Sequence, residues 1–141
     1  MLESGFQKKI ITSIEDIGGV VVNGTYSKSG IADLICGWPM PVKKLTEKEK
    51  YYLVIDYGTA VLDMQPQILL HLHVEVKTKT DYNKLFKKNI KEVNGLYIVD
   101  PEFSGREVLQ AHKLNDVRKR GGLALFAYSF EQVQEYVNGH V

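Results

Sequence analysis

The sequence predicts an α/β fold, a central mixed β-sheet flanked by helices. Three observations predict it. The elements run in the order helix, strands, helix, strand, helix; residues 68–78 place aliphatic side chains at every second position; and two helix-opening signatures, Ser104-Gly-Arg-Glu107 and Ser129-Phe-Glu-Gln132, bracket a buried-type strand at 123–128. With 141 residues, 44% of them hydrophobic and 25% charged, the chain is expected to form one domain over 1–141 with a closed core.

Each element has its own signal. Leu2, Phe6, Ile10, Ile14 and Ile17 recur at three- and four-residue steps, which predicts an amphipathic helix over 2–17 that ends at Gly18-Gly19. Val20-Val21-Val22 reads as a short strand, Asn23-Gly24 as a turn, 26–30 as a loop and 31–36 as a second apolar strand. Residues 37–50, with Pro39, Pro41 and four lysines, are expected to be an exposed connection; 51–57 and 68–78 read as strands that could pair as a long hairpin. Beyond Lys77 the pattern turns helical, with Tyr82, Leu85, Phe86 and Ile90 on one stripe and Lys84, Lys87, Lys88 and Lys91 on another. A strand at 96–99 stops at Asp100-Pro101, and the box at 104–107 predicts a helix over about 105–120 that stops at Gly121-Gly122. The box at 129–132 opens the last helix.

Composition excludes several classes. Lys and Arg number 18 against 17 Asp and Glu, a net charge of +1, so nucleic-acid binding would have to rest on local charge. The one cysteine, Cys36, rules out an intrachain disulfide and a cysteine-rich zinc site, and fits a reducing compartment. No apolar run approaches the roughly 20 residues of a membrane span. Glu3, Lys8 and Lys9 interrupt the N-terminus, which does not read as a signal peptide, so a cytoplasmic protein is expected.

The chemistry concentrates in one strand. Alternation puts His71, His73, Glu75 and Lys77 on one face and Leu70, Leu72, Val74 and Val76 on the other. A strand so rich in aliphatics reads as central, and charges projecting from a central strand are costly unless paired or bound to a metal. A plain Glu–Lys pair on a half-exposed strand would also account for Glu75 and Lys77. A second acid, Asp33 in Gly30-Ile-Ala-Asp33-Leu-Ile, likewise interrupts an apolar strand, although a solvent-facing edge position would explain it too. Two converging carboxylates are the hard oxygen donors that Mg²⁺ prefers, and a neighbouring lysine can position water or stabilise phosphorane charge.

Gly30-Ile-Ala-Asp33 followed by His73-Val-Glu75-Val-Lys77-Thr resembles the core motif of the PD-(D/E)xK nucleases. Within that superfamily the chain is most similar to the VRR-NUC type and its Holliday-junction-resolvase relatives. Glu3 in the first helix, Gln110 in the helix after the Glu-x-Lys strand and the closing Gly-Gly-Leu-Ala-Leu-Phe-Ala-Tyr-Ser segment extend the likeness over nearly the whole chain. The resemblance implies a restriction-endonuclease-like core with insertions at about 38–69 and 80–103. It implies a Mg²⁺-dependent endodeoxyribonuclease, Mn²⁺ substituting, with branched or junction DNA among its substrates. Asp33, Glu75 and the Val76 carbonyl would be metal ligands and Lys77 the catalytic lysine. Glu3 would reach the metal directly or through water, and Gln110 would orient Lys77 or the attacking water. Ala32 stands where the family usually has proline. The resemblance further implies a homodimer for symmetric two-strand cutting and a bacterial or phage-infected host cell.

Lys84, Lys87, Lys88 and Lys91 read as a stripe that could follow a phosphate backbone, with Lys28 in the loop before Asp33 and Lys113 one turn past Gln110 as further DNA contacts. Arg118, Lys119 and Arg120 read as favourable cations at a helix C-terminus. Two other functions compete. His71-x-His73 with Glu75 offers a two-His, one-carboxylate iron site, although it leaves Asp33 and Lys77 idle, and the histidines are expected to lie under the site or beside the first helix. The other is a DNA-binding or assembly module of the same fold that has lost activity.

Overall fold

A computed structural model of the chain describes residues 3–23, 33–41 and 67–140. The elements are α1 (Glu3–Asp16), β1 (Val20–Asn23), β2 (Leu34–Pro41), β3 (Gln67–Val76), α2 (Lys79–Lys84), a π-helical turn (Leu85–Asn89), β4 (Ile90–Val93), β5 (Leu96–Val99), α3 (Arg106–Lys119), β6 (Leu123–Ala127) and α4 (Phe130–Asn138). The expected mixed α/β architecture is present. Among the described residues the main sheet has the order β1-β2-β3-β6, with β1, β2 and β3 antiparallel and β6 parallel to β3.

Alternation along β3 divides the molecule into layers. Leu72, Val74 and Val76 face α1 and α4 and join Ile10, Ile14, Leu34, Cys36, Trp38, Leu125, Val133 and Val137 in the larger core. Burying one such aliphatic side chain contributes about 1.5–3 kcal/mol, so this face anchors both outer helices. Ala124 and Phe126 of β6 face the other way, onto Leu85, Ile90, Tyr97, Ala111 and Leu114. That second core joins α3 to the β4–β5 hairpin, while the same sheet face over β2 and β3 carries a cleft beside α3.

Several boundaries differ from expectation. Ile17 lies past the end of α1 and is 43% exposed, because Gly18, at φ +93°, turns the chain away before Ile17 can reach the core. The strand expected at 31–36 starts at Leu34 and continues to Pro41. Trp38 is buried against Phe130, their rings 5.6 Å apart, so 37–41 extends the sheet rather than opening a connection. The strand and the connection expected within 42–66 lie outside the described residues, as does the loop at 26–30.

The largest correction concerns the lysine stripe. Helix does not run on through 82–92: the Ile90 N–H bonds back to Leu85 O, an i→i+5 turn, and the chain leaves as β4. Asn94 and Gly95 take positive φ, 51° and 78°, the conformation of a two-residue hairpin turn, and β4 pairs with β5. Ile90 is therefore a buried strand residue and Lys91 sits on a strand.

Of the two expected capping boxes, only the one at 129–132 caps its helix, and its return bond reaches Tyr128 N in place of Ser129 N. Ser129 Oγ accepts from Gln132 N, and Gln132 Oε1 accepts from Tyr128 N. Ser104 caps nothing: Gly105 occupies the N-cap of α3 without a side-chain bond, and Glu107 turns to Lys77 instead.

The outer edge of β6 is closed by side chains. Ala124 N donates to Tyr136 Oη, Ala124 O accepts from Arg118 Nε at 2.6 Å, and Phe126 N donates to Tyr97 Oη. Three long side chains thus satisfy backbone groups that would otherwise recruit another strand. Arg118 also bonds Glu92, Gly95 O and Tyr97 Oη, with its guanidinium 4.2 Å from the Tyr97 ring centre and 5.0 Å from that of Tyr136. It is a buried clamp between α3, β6 and the hairpin, not a solvated cation at a helix end.

Candidate active site

The β2–β3 register brings the two acids together. Leu34 pairs with Val74, so the next step along the antiparallel ladder sets Asp33 beside Glu75. Asp33 Oδ2 accepts the Val76 amide at 2.9 Å, which fixes its carboxylate at the end of the ladder. Glu75 is only 5% exposed. From α3, Gln110 Nε2 donates to Glu75 Oε1 at 2.9 Å.

Burial, and then the Asp33 carboxyl beside it, push the Glu75 pKa up to about 8, with Lys77 opposing the rise. Lys77 is 3% exposed; its Nζ lies 3.8 Å from Glu107 Oε1 and 5.9 Å from the Phe126 ring centre. Glu3 stands at the start of α1 within electrostatic reach of the same group. Burial and then Asp33 raise its pKa, while Lys77 and Arg106 lower it. Asp33, Glu75, Lys77, Gln110 and Glu3 thus converge from the start of β2, from β3, from α3 and from the N-terminus of α1.

Glu107 belongs to this group and was assigned only to a helix cap from the sequence. It lies three residues before Gln110, one helical turn along the same side of α3, and that spacing was the available signal. The cleft next to Glu75 encloses about 590 Å³ and is lined by Ile35, His71, His73, Gln110, Lys113 and Arg120, among others. His71 and His73 therefore face α3, on the side of the sheet opposite to α1; of the two places expected for them, the one beside the first helix is corrected, and they lie next to Glu75 in its cleft. Burial and then His71 lower the His73 pKa.

The basic residues do not act as one stripe. Lys84 lines a small pocket of about 280 Å³ with Lys77, Asp81 and Glu107, whereas Lys87, Lys88 and Lys91 line a separate groove with Asp100 and Pro101. Lys113 stands on the wall of the cleft next to Glu75. Lys28 lies outside the described residues. Cys36 is buried in the larger core, which raises its thiol pKa to about 12 and leaves it no part in the chemistry. Among the described residues no helix is long and apolar enough to cross a membrane.

The donor set fits a hard divalent cation. A buried carboxyl, Glu75, stands beside a half-buried one, Asp33, and each has a second oxygen besides the one engaged by Gln110 or Val76 N. Gln110 Oε1 is buried with no hydrogen-bond partner among the described residues, so the same corner offers a further unused oxygen. A two-His, one-carboxylate iron site fits less well, because Glu75 is turned to Asp33 and Gln110; among the described residues no three His, Cys, Asp or Glu side chains are grouped to hold a metal, so Glu3 does not complete a three-carboxylate set with Asp33 and Glu75 either.

No family model matches the chain, and no curated protein matches it. Among solved structures, a chain described as "VRR_NUC domain" is similar at 20% identity with a TM-score of 0.47, over 96% of this chain and 94% of that one. Its description names the family that the sequence motif resembles.

Proposed function

We propose that this protein is a divalent-cation-dependent DNA endonuclease that hydrolyses phosphodiester bonds at Asp33, Glu75 and Lys77. One observation carries the reading: the half-buried Asp33 and the buried Glu75, set side by side by the β2–β3 register, share the end of a cleft-lining strand with the buried Lys77 two residues on. Asp33, Glu75 and the Val76 carbonyl would hold Mg²⁺ or Mn²⁺. When bound, the cation polarises the phosphate and lowers the pKa of water.

The chain's own groups supply the rest. Lys77, kept from bulk water and aimed by Glu107, stabilises the negative charge that builds on the phosphoryl oxygens as water adds in line. Gln110 orients Glu75 through Nε2, and its unpartnered Oε1 is available to hold the attacking water by a proton. The P–O ester bond opposite the water breaks; the attacking water gives up a proton to solvent and the departing oxygen takes one from solvent. Lys113 and Arg120 on the cleft wall favour a phosphate chain running toward the acids. Cations on the cleft wall suit contact with the phosphate backbone, and branched or junction DNA belongs among the substrates to test.

Labelled duplex, single-stranded, flap and four-way DNA, incubated with Mg²⁺, Mn²⁺ or a chelator, provides the test. Cleavage should require the cation. Glu75→Ala and Lys77→Ala should each cut at least about 100-fold more slowly while the fold and most DNA affinity persist. Wild-type rates in either variant would refute the site. Binding without any cleavage by the parent protein would favour an inactive DNA-binding module.

A further inference from the structure

The nuclease reading leaves one motif unused, the His71-x-His73 pair. Both residues lie on the cleft face of β3, spaced by two so that their rings project the same way. Their Nε2 atoms are 2.6 Å apart, and the ring planes are tilted by 59°. Two ring nitrogens this close cannot both point a proton at each other, so at least one presents a lone pair, and both present one once the shared proton is displaced.

We infer that His71 and His73 form a second metal site, separate from the carboxyl pair and selective for borderline d-block divalent cations such as Cu²⁺ or Ni²⁺. Donor type makes the separation: imidazole nitrogen suits copper, nickel and zinc, whereas Asp33 and Glu75 offer the oxygen that magnesium prefers. Bite size then favours copper or nickel over zinc. With metal–nitrogen bonds of about 2.0–2.1 Å, a right-angled chelate needs nitrogens about 2.9 Å apart and a tetrahedral one about 3.3 Å. From 2.6 Å the rings must open by about 0.3 Å for the square or octahedral metal and about 0.7 Å for a tetrahedral zinc. His71 is exposed, so its ring can make the smaller adjustment without disturbing the core. With only two imidazoles, the ion's other positions open onto the cleft, where they would take water or an oxygen of an incoming molecule. The site stands whether or not the carboxyl pair hydrolyses DNA.

Titration of the purified full chain with Cu²⁺ alone, followed by calorimetry and electron paramagnetic resonance, tests this. One copper per chain is expected, with hyperfine splitting from two nitrogens, retained in Glu75→Gln and in the His112→Ala/His140→Ala double variant. His71→Ala should weaken binding at least about 10-fold and leave a one-nitrogen signal, with circular dichroism showing the fold intact. His73→Ala should do the same. Unchanged copper binding in His71→Ala would overturn the site, and so would copper that disappears in Glu75→Gln yet persists in His71→Ala.

Discussion

Arg118→Ala should be among the most destabilising substitutions in the chain outside the apolar cores. The side chain is 93% shielded from solvent, 7% exposed, and closes the free edge of β6 through Ala124 O. Removing it leaves that buried carbonyl without its charged donor, at about 1–3 kcal/mol. The guanidinium also covers two tyrosine rings, worth about 0.5–2 kcal/mol in a desolvated setting. Glu92 is about half exposed and rehydrates, so its ion pair adds little. The total is about 3 kcal/mol, or roughly 10 °C in Tm for a domain of this length. Arg118→Lys should recover only part of it, because an ammonium cannot reach Ala124 O, Tyr97 Oη and Glu92 together in one plane. Urea and thermal melts of Arg118→Ala, Arg118→Lys, Lys119→Ala and Arg120→Ala measure the effect. If Arg118→Ala loses no more stability than Lys119→Ala, the edge-closing role is wrong.

Two further expectations concern pH and capping. The Glu75 carboxyl, raised from 4.5 to about 8, keeps in the folded state a proton that the unfolded chain has already released, so the cation-free protein should lose stability as pH rises through that window. Glu75→Gln should flatten the slope and Mg²⁺ should raise Tm at the alkaline end; parallel Tm-versus-pH curves for the parent and Glu75→Gln would contradict this. Ser129→Ala should cost about 1 kcal/mol and a few degrees of Tm, whereas Ser104→Ala should stay within about 0.5 kcal/mol, since only Ser129 caps its helix. Equal losses in melts of the two variants would be inconsistent with the observed caps.

Much of the fold was legible because period and burial agree. The step of two along β3 and the three-and-four spacing of Ile10 and Ile14 each report one buried face, and each side chain lies where its period puts it. The hairpin went unread for an opposite reason. Asn94-Gly95 between Ile90–Val93 and Leu96–Val99 is a strong hairpin signal, yet the lysines at 84, 87, 88 and 91 mimic a helical stripe across it. Four solvated lysines carry no packing information, so their spacing competes with a turn signal that does. Arg118 was misplaced similarly, because charge alone grouped it with Lys119 and Arg120, although only its side of α3 faces Tyr97 and β6.

The candidate site shows where local pattern stops. Glu75 and Lys77 share a face of one strand, and alternation alone relates them. Asp33 meets Glu75 only because β2 pairs with β3 so that Leu34 stands opposite Val74; a slip of one residue would move Asp33 off Glu75 and lose its bond to Val76 N. That register is enforced from the other side of the sheet, where Leu34, Cys36 and Trp38 must all reach the core with Leu72 and Val74. The apolar face therefore holds together two carboxyls, and burial first, then their mutual repulsion, raises the Glu75 pKa. Burial of the aliphatics opposes the electrostatic cost of the pair, and a divalent cation would remove that cost. A cavity in the apolar layer beneath Asp33, as in Leu34→Ala, would thus weaken the acid pair without touching either acid.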